Sequence, residues 1–247
     1  MRQRPRLLRT SKRPMSRSKI QEYMSESLQR QNNRSRERSL FKKIPVMIKD
    51  FPSTETVDID AALRTLEDRI PQWCFSNVDI VYIGIFDIFI ERNVEAVYED
   101  GAIYVLSEQP STEDFVESIG HEVAHAVEEQ MPAEIYFDGA LETEFIGKRR
   151  RLRDILSAHG YQYIEGAPED FLKPEYNEDV DMFLYQDVGY PVLSELTSGL
   201  FMSPYAATSL REYFANGFEW YFLKGEKLLL KKISLNLYNK LDKINSF

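Results

Sequence analysis

Residues 120–129 read "GHEVAHAVEE", and this string limits the fold more than any other part of the chain. Two of the three histidines, His121 and His125, stand four apart, with Glu122 directly after the first. On a helix advancing about 100° per residue, Val116, Ile119, Val123 and Val127 form one apolar stripe that must face a core. His121 and His125 fall on the opposite side, about 40° apart and one turn from each other, with Glu122 on the flank. Two imidazoles stacked in this way can grip one metal ion, and zinc is the natural first choice. The bland alternative is an exposed helix face with two solvated histidines. The context favours an ordered site helix. Ser111 or Thr112 can cap it, acidic residues fill its first turn, and Pro132 lies just past its end.

Two histidines make a poor metal site, so a third ligand is needed. His159 stands beside a helix-ending Gly160 and reads as surface, while Cys74, flanked by apolar residues, reads as a buried inert thiol. A carboxylate remains. In "SLREYFANGFEWYF", Leu210, Phe214, Phe218, Tyr221 and Phe222 make a broad apolar face, and Ser209, Glu212, Asn216 and Glu219 gather on the other. Glu212 is the expected third ligand. Glu219 and Asn216 are held in reserve, as ligands or as groups that orient a histidine from behind.

Around the histidine helix, strand and helix signals alternate. "TVDIDAALRTLEDRIPQW" has Val57, Leu63, Leu66 and Ile70 at helical spacing and stops at Pro71, and "VDIVYIGIFDIFI" reads as a buried strand. In "VEAVYEDGAIYVL", Asp100-Gly101 divides two alternating apolar runs, a hairpin signal because such a two-residue turn needs positive φ. Downstream the pattern predicts one helix over 132–160, irregular chain with short helical pieces over 161–204, a long helix over 207–224 and a last helix from Lys227. The fold class expected is α+β: a small mixed sheet, an active-site helix and a mostly helical C-terminal half, with the strand "AIYVL" (102–106) at the sheet edge. The basic run "GKRRRLRD" (147–154) reads as a solvated, partly ion-paired helix face.

Charge divides the chain in two. Residues 1–43 carry a net +11 and the remainder a net −20. The first part, rich in Arg, Ser and Gln and poor in aromatics, has a disorder-prone composition and reads as a basic arm, with the folded domain over 44–247. Such an arm suits nucleic acid or another acidic partner, serves as a solvated linker, or wraps its own acidic body. A lone cysteine excludes an intrachain disulfide. No apolar run approaches the ~20 residues of a membrane span, and no apolar stretch follows the basic N-terminus as a secretory signal would require. The expected setting is that of a soluble protein, cytoplasmic or virion-associated rather than classically secreted.

"HEVAH" followed by "SPYAATSLREYFANGFE" resembles the lethal-factor-like zinc metallopeptidases, a zincin group that includes the Pro-Pro endopeptidases. The resemblance covers roughly residues 78–240 and implies a zincin-like domain with one Zn2+ per chain held by His121, His125 and Glu212. It further implies that Tyr205, seven residues before that glutamate, contributes to catalysis. Two features depart from the group. Asn216 stands where its members often have a second Glu, and the 87-residue step from His125 to Glu212 is longer than the group leads one to expect. The activity implied is a zinc-dependent endopeptidase acting on a protein or peptide substrate, with Glu122 as general base. The competing expectation is a catalytically silent structural or virion-type protein that keeps a peptidase-like fold and binds nucleic acid through the arm.

Overall fold

The structure, a computed structural model, describes residues 36–92, 94–163 and 169–246; most of the basic arm lies outside the described residues. The described chain is α+β, with ten α-helices beside one five-stranded mixed sheet. The strands are β1 (Glu37–Leu40), β2 (Ile44–Ile48), β3 (Ile80–Gly84), β4 (Ala96–Glu99) and β5 (Ala102–Leu106), in the order β1-β2-β3-β5-β4. β1 therefore lies within the residues that composition assigns to the arm. It pairs antiparallel with β2 and buries Leu40 completely.

β2, β3 and β5 run parallel, and β4 returns antiparallel on β5. The turn between β4 and β5 has φ of 49° at Asp100 and 80° at Gly101, the pair of positive angles that the sequence signals. The edge-strand expectation is corrected here. The strand Ala102–Leu106 is interior, paired on both sides, and the edge is β4. Apolar content decides which arm of the hairpin goes inside: Ile103 and Val105 are fully buried, whereas β4 is shorter and ends on Glu99.

The histidine helix, Thr112–Gln130, lies against this sheet and against the helix Ile59–Arg69. Ser111 caps it, its Oγ accepting the Asp114 N–H at 3.1 Å. Phe115, Val116, Ile119, Val123 and Val127 are fully buried along one side. Each such side chain contributes about 1.5–3 kcal/mol when removed from water, so the stripe anchors the helix firmly.

Three helical expectations are corrected. The helix expected over 132–160 is two, Pro132–Tyr136 and Ala140–Ala158, parted at Gly139, whose φ of 66° a helix cannot contain. The long helix starts later than expected, at Leu210. It runs as an α-helix to Phe218 and widens into a π-helical turn over Glu219–Leu223. The last helix breaks at the fully buried Ser234 into Lys227–Ile233 and Leu235–Ile244.

The basic run is not a solvated face throughout. Lys148 and Arg149 are buried, and both serve backbone carbonyls. Lys148 Nζ donates to Leu200 O and Ile233 O at 2.5 and 2.8 Å. Among the described residues no helix is long and apolar enough to cross a membrane.

Candidate metal centre

His121 and His125 project from the histidine helix toward the helix Leu210–Phe218. Ser209 fixes the start of that second helix, its Oγ accepting the Glu212 N–H at 3.1 Å. Glu212 thus sits in the first turn and points back at both imidazoles. Its Oε2 lies 2.9 Å from His121 Nε2 and its Oε1 3.7 Å from His125 Nε2. One ligand atom from each of the three residues falls within 4.8 Å of the others, so the group could hold a metal ion. Glu212 Oε2 is buried yet has no hydrogen-bond partner among the described residues, despite its closeness to His121. In the metal-free chain a proton on His121 Nε2 faces this oxygen as an ion pair, and a cation between the three groups would take that proton's place.

The other nitrogen of each ring is held by a carboxylate. Glu219 Oε1 stands 2.6 Å from His121 Nδ1, and Glu128 Oε2 stands 2.6 Å from His125 Nδ1. Glu128 is itself fixed by the Tyr136 hydroxyl and by Arg211 Nε at 3.5 Å. Both Nδ1 atoms are therefore engaged, which leaves both Nε2 atoms to face Glu212. This is the arrangement that sets the tautomer and ring orientation of metal-binding histidines. Of the two residues held in reserve, Glu219 takes the orienting role. Asn216 stays outside the ligand cluster and lines a neighbouring cavity.

Gly120 lets these elements approach. A Cβ there would lie 2.4 Å from Leu223 Cδ1, in the π-helical turn that also carries Glu219. Glu122 faces β4 and is 8% exposed, with Oε2 accepting the Tyr98 N–H at 2.6 Å. Tyr205 sits on a 3-10 turn, Tyr205–Ala207, with its ring centroid 6.3 Å from that of His121.

Electrostatics mark the cluster as one unit. Burial disfavours charge on His121, but Glu212 and Glu219 outweigh burial and hold its pKa well above the usual imidazole value. Burial would raise Glu212, and His121 and His125 reverse the sign, so its carboxyl titrates below an ordinary glutamate. Glu122 is raised by burial, an effect tempered by the same two histidines. Partial burial, with Glu212 nearby, raises the Tyr205 hydroxyl and keeps it a neutral donor near pH 7.

Two recesses adjoin the centre. A cavity of about 810 Å3 opens on the His121 side, and one of about 430 Å3 on the His125 side. His159 is exposed and Cys74 is buried, and neither belongs to the centre. The sequence reading missed Glu128 and Gly120. Glu128 carried a signal, since it stands three residues after His125 on the same helix face. Gly120 carried none, because its role depends on a partner about a hundred residues away. No protein-family model, curated protein or solved structure matches this chain.

Proposed function

We propose that the protein is a zinc-dependent metalloendopeptidase built on a zincin-like domain. One observation carries the reading: Nε2 of His121, Nε2 of His125 and the Glu212 carboxylate converge on a common point, while a carboxylate holds each Nδ1 from behind. Two imidazoles and a carboxylate suit zinc and leave room for a fourth, exchangeable ligand. A zinc ion held by His121, His125 and Glu212 supplies Lewis acidity toward a water molecule and toward a peptide carbonyl.

The chain's own groups do the rest. Glu122 comes from the same helix but faces β4, beside the ligands rather than among them. Its raised pKa suits a base that takes a proton from the attacking water and passes it to the departing amine. The Tyr205 hydroxyl, neutral near pH 7, donates a hydrogen bond to negative charge developing at the cleaved bond. β4 is an edge strand next to the site, and although its Tyr98 N–H is taken by Glu122, its position supports a substrate bound in extended form alongside it.

Elemental analysis of purified protein tests the reading. Wild type should carry about one zinc per chain, Glu212→Ala should lose most of it, and Glu122→Gln should keep it while losing turnover. Wild type that takes up no zinc, even after adding it back, would end the proposal. Unchanged zinc in Glu212→Ala would move the third ligand elsewhere.

A further inference from the structure

The cavity beside His121 differs in charge from the molecule around it. Residues 44–247 carry a net −20, yet the cavity wall includes Lys224 and Lys232. Its acidic residues are already engaged. Glu219 holds His121 Nδ1, and Glu117 Oε2 pairs with Lys224 Nζ at 3.1 Å. Lys224 also lies over the Trp220 ring, 5.3 Å from its centroid. The neighbouring lysines of the same segment are turned to aromatic faces elsewhere, Lys227 over Tyr221 and Lys231 over Tyr238. Lys232 has neither an ion pair nor a ring contact among the described residues.

Asn216 lines the cavity as well and is 8% exposed, but its unpartnered Oδ1 is a buried acceptor and takes no part in holding an anion. The cavity thus offers an apolar wall with Trp220 and Leu229 and, in Lys232, one ammonium without an ion pair among the described residues. It is continuous with His121 and Tyr205. On the other side of the centre, the smaller recess sets Glu99, Asp100, Glu128 and Glu129 against Arg211, an acidic balance that disfavours an anion.

We propose that this cavity receives the substrate side chain next to the cleaved bond, and that Lys232, aided by Lys224, selects an acidic side chain there. The inference rests on the peptidase reading and adds a substrate class to it. At about 810 Å3 the cavity exceeds any single side chain, so the acidic group enters with water around it. The selection is therefore electrostatic and salt-sensitive rather than a close steric fit.

The test uses the full-length, zinc-loaded chain and three probes: acetyl-glutamyl, acetyl-glutaminyl and acetyl-lysyl hydroxamate, titrated by calorimetry. The glutamyl probe should bind about fivefold tighter than the glutaminyl one at low salt, with the lysyl probe weakest, and the gap should narrow in high salt. Lys232→Glu, an exposed change that leaves the core intact, should reverse the order. Equal affinities overturn the inference, as does an order that Lys232→Glu leaves untouched or a zinc-bearing chain that binds none of the three. Failure of the peptidase reading looks different, because the chain would then hold no zinc by elemental analysis.

Discussion

His125 is braced by a carboxylate from its own helix, and that carboxylate is braced in turn by Tyr136 and Arg211. Removing the charge while keeping the shape isolates the effect. Glu128→Gln should weaken zinc binding about 10–100-fold, measured by competition with a chelator, with the helix otherwise intact. Unchanged affinity would mean that Glu128 only fills space.

His121 supplies a prediction about pH. Its raised pKa means that the metal-free centre holds a proton near neutrality, and a metal must displace it. Zinc affinity should rise with pH, and titration at pH 7 in two buffers of different ionisation enthalpy should show release of about one proton. The sign for stability follows. The raised folded value makes the protonated cluster stabilise the metal-free fold fully below about pH 6.5, the ordinary histidine value, and that stability fades as pH rises through the folded value. A metal-free protein whose melting temperature does not fall on the alkaline side would contradict it. At this scale the group of His121, His125 and Glu212 was legible because two local patterns, the histidine pair and a polar stripe on an apolar helix, pointed to it. Glu219's service to His121 needed the packing of two distant helices.

The helix Ala140–Ala158 shows how an element can be misread. Its basic run suggested a wet face, yet Arg149 is 1% exposed, with burial pushing its pKa down to about 10. Nε donates to Phe171 O at 2.8 Å, and Nη1 donates to Ala207 O and Thr208 O at 2.7 and 3.2 Å. The guanidinium therefore fastens the turn that carries Tyr205 and the entry to the helix that carries Glu212. The signal was present in the apolar spacing. Leu141, Phe145, Leu152 and Leu156 are all buried, and a helical stripe drawn through them passes over Lys148 and Arg149. Composition drew attention to the charges, and periodicity would have turned two of them inward. Arg149→Met should cost about 3 kcal/mol in urea unfolding, because three buried carbonyls lose their donor. The exposed neighbour Arg150 is the control, and Arg150→Ala should stay within about 0.5 kcal/mol. Equal effects at the two sites would deny Arg149 this role.

For the whole molecule, the α+β class, the hairpin and the order of the two site helices could be read from hydrophobic period and turn chemistry. Strand order could not, because two arms of one hairpin look alike until long-range pairing with β3 selects the inner one. The start of the folded body was misplaced for a related reason: a four-residue strand inside a basic stretch has too little pattern to show. Its contacts are nonetheless specific. Arg36 O accepts the Ile48 N–H at 2.8 Å, Leu40 is fully buried, and the Phe41 ring meets Phe75 edge-on at 5.3 Å. Two truncations separate arm from body. Deleting residues 1–35 should leave zinc content and melting temperature unchanged, since the sheet begins at Glu37. Deleting residues 1–43 removes β1 and opens the β2 edge. Loss of Leu40 alone costs about 2–3 kcal/mol, which should lower the melting temperature by roughly 5–10 °C and promote aggregation through the unpaired strand. If the arm binds nucleic acid, the shorter deletion should abolish a binding that in wild type falls steeply with salt, while leaving the metal centre whole. Equal melting of the two truncations would place β1 outside the cooperative fold. Loss of zinc in the shorter one would tie the arm to the centre.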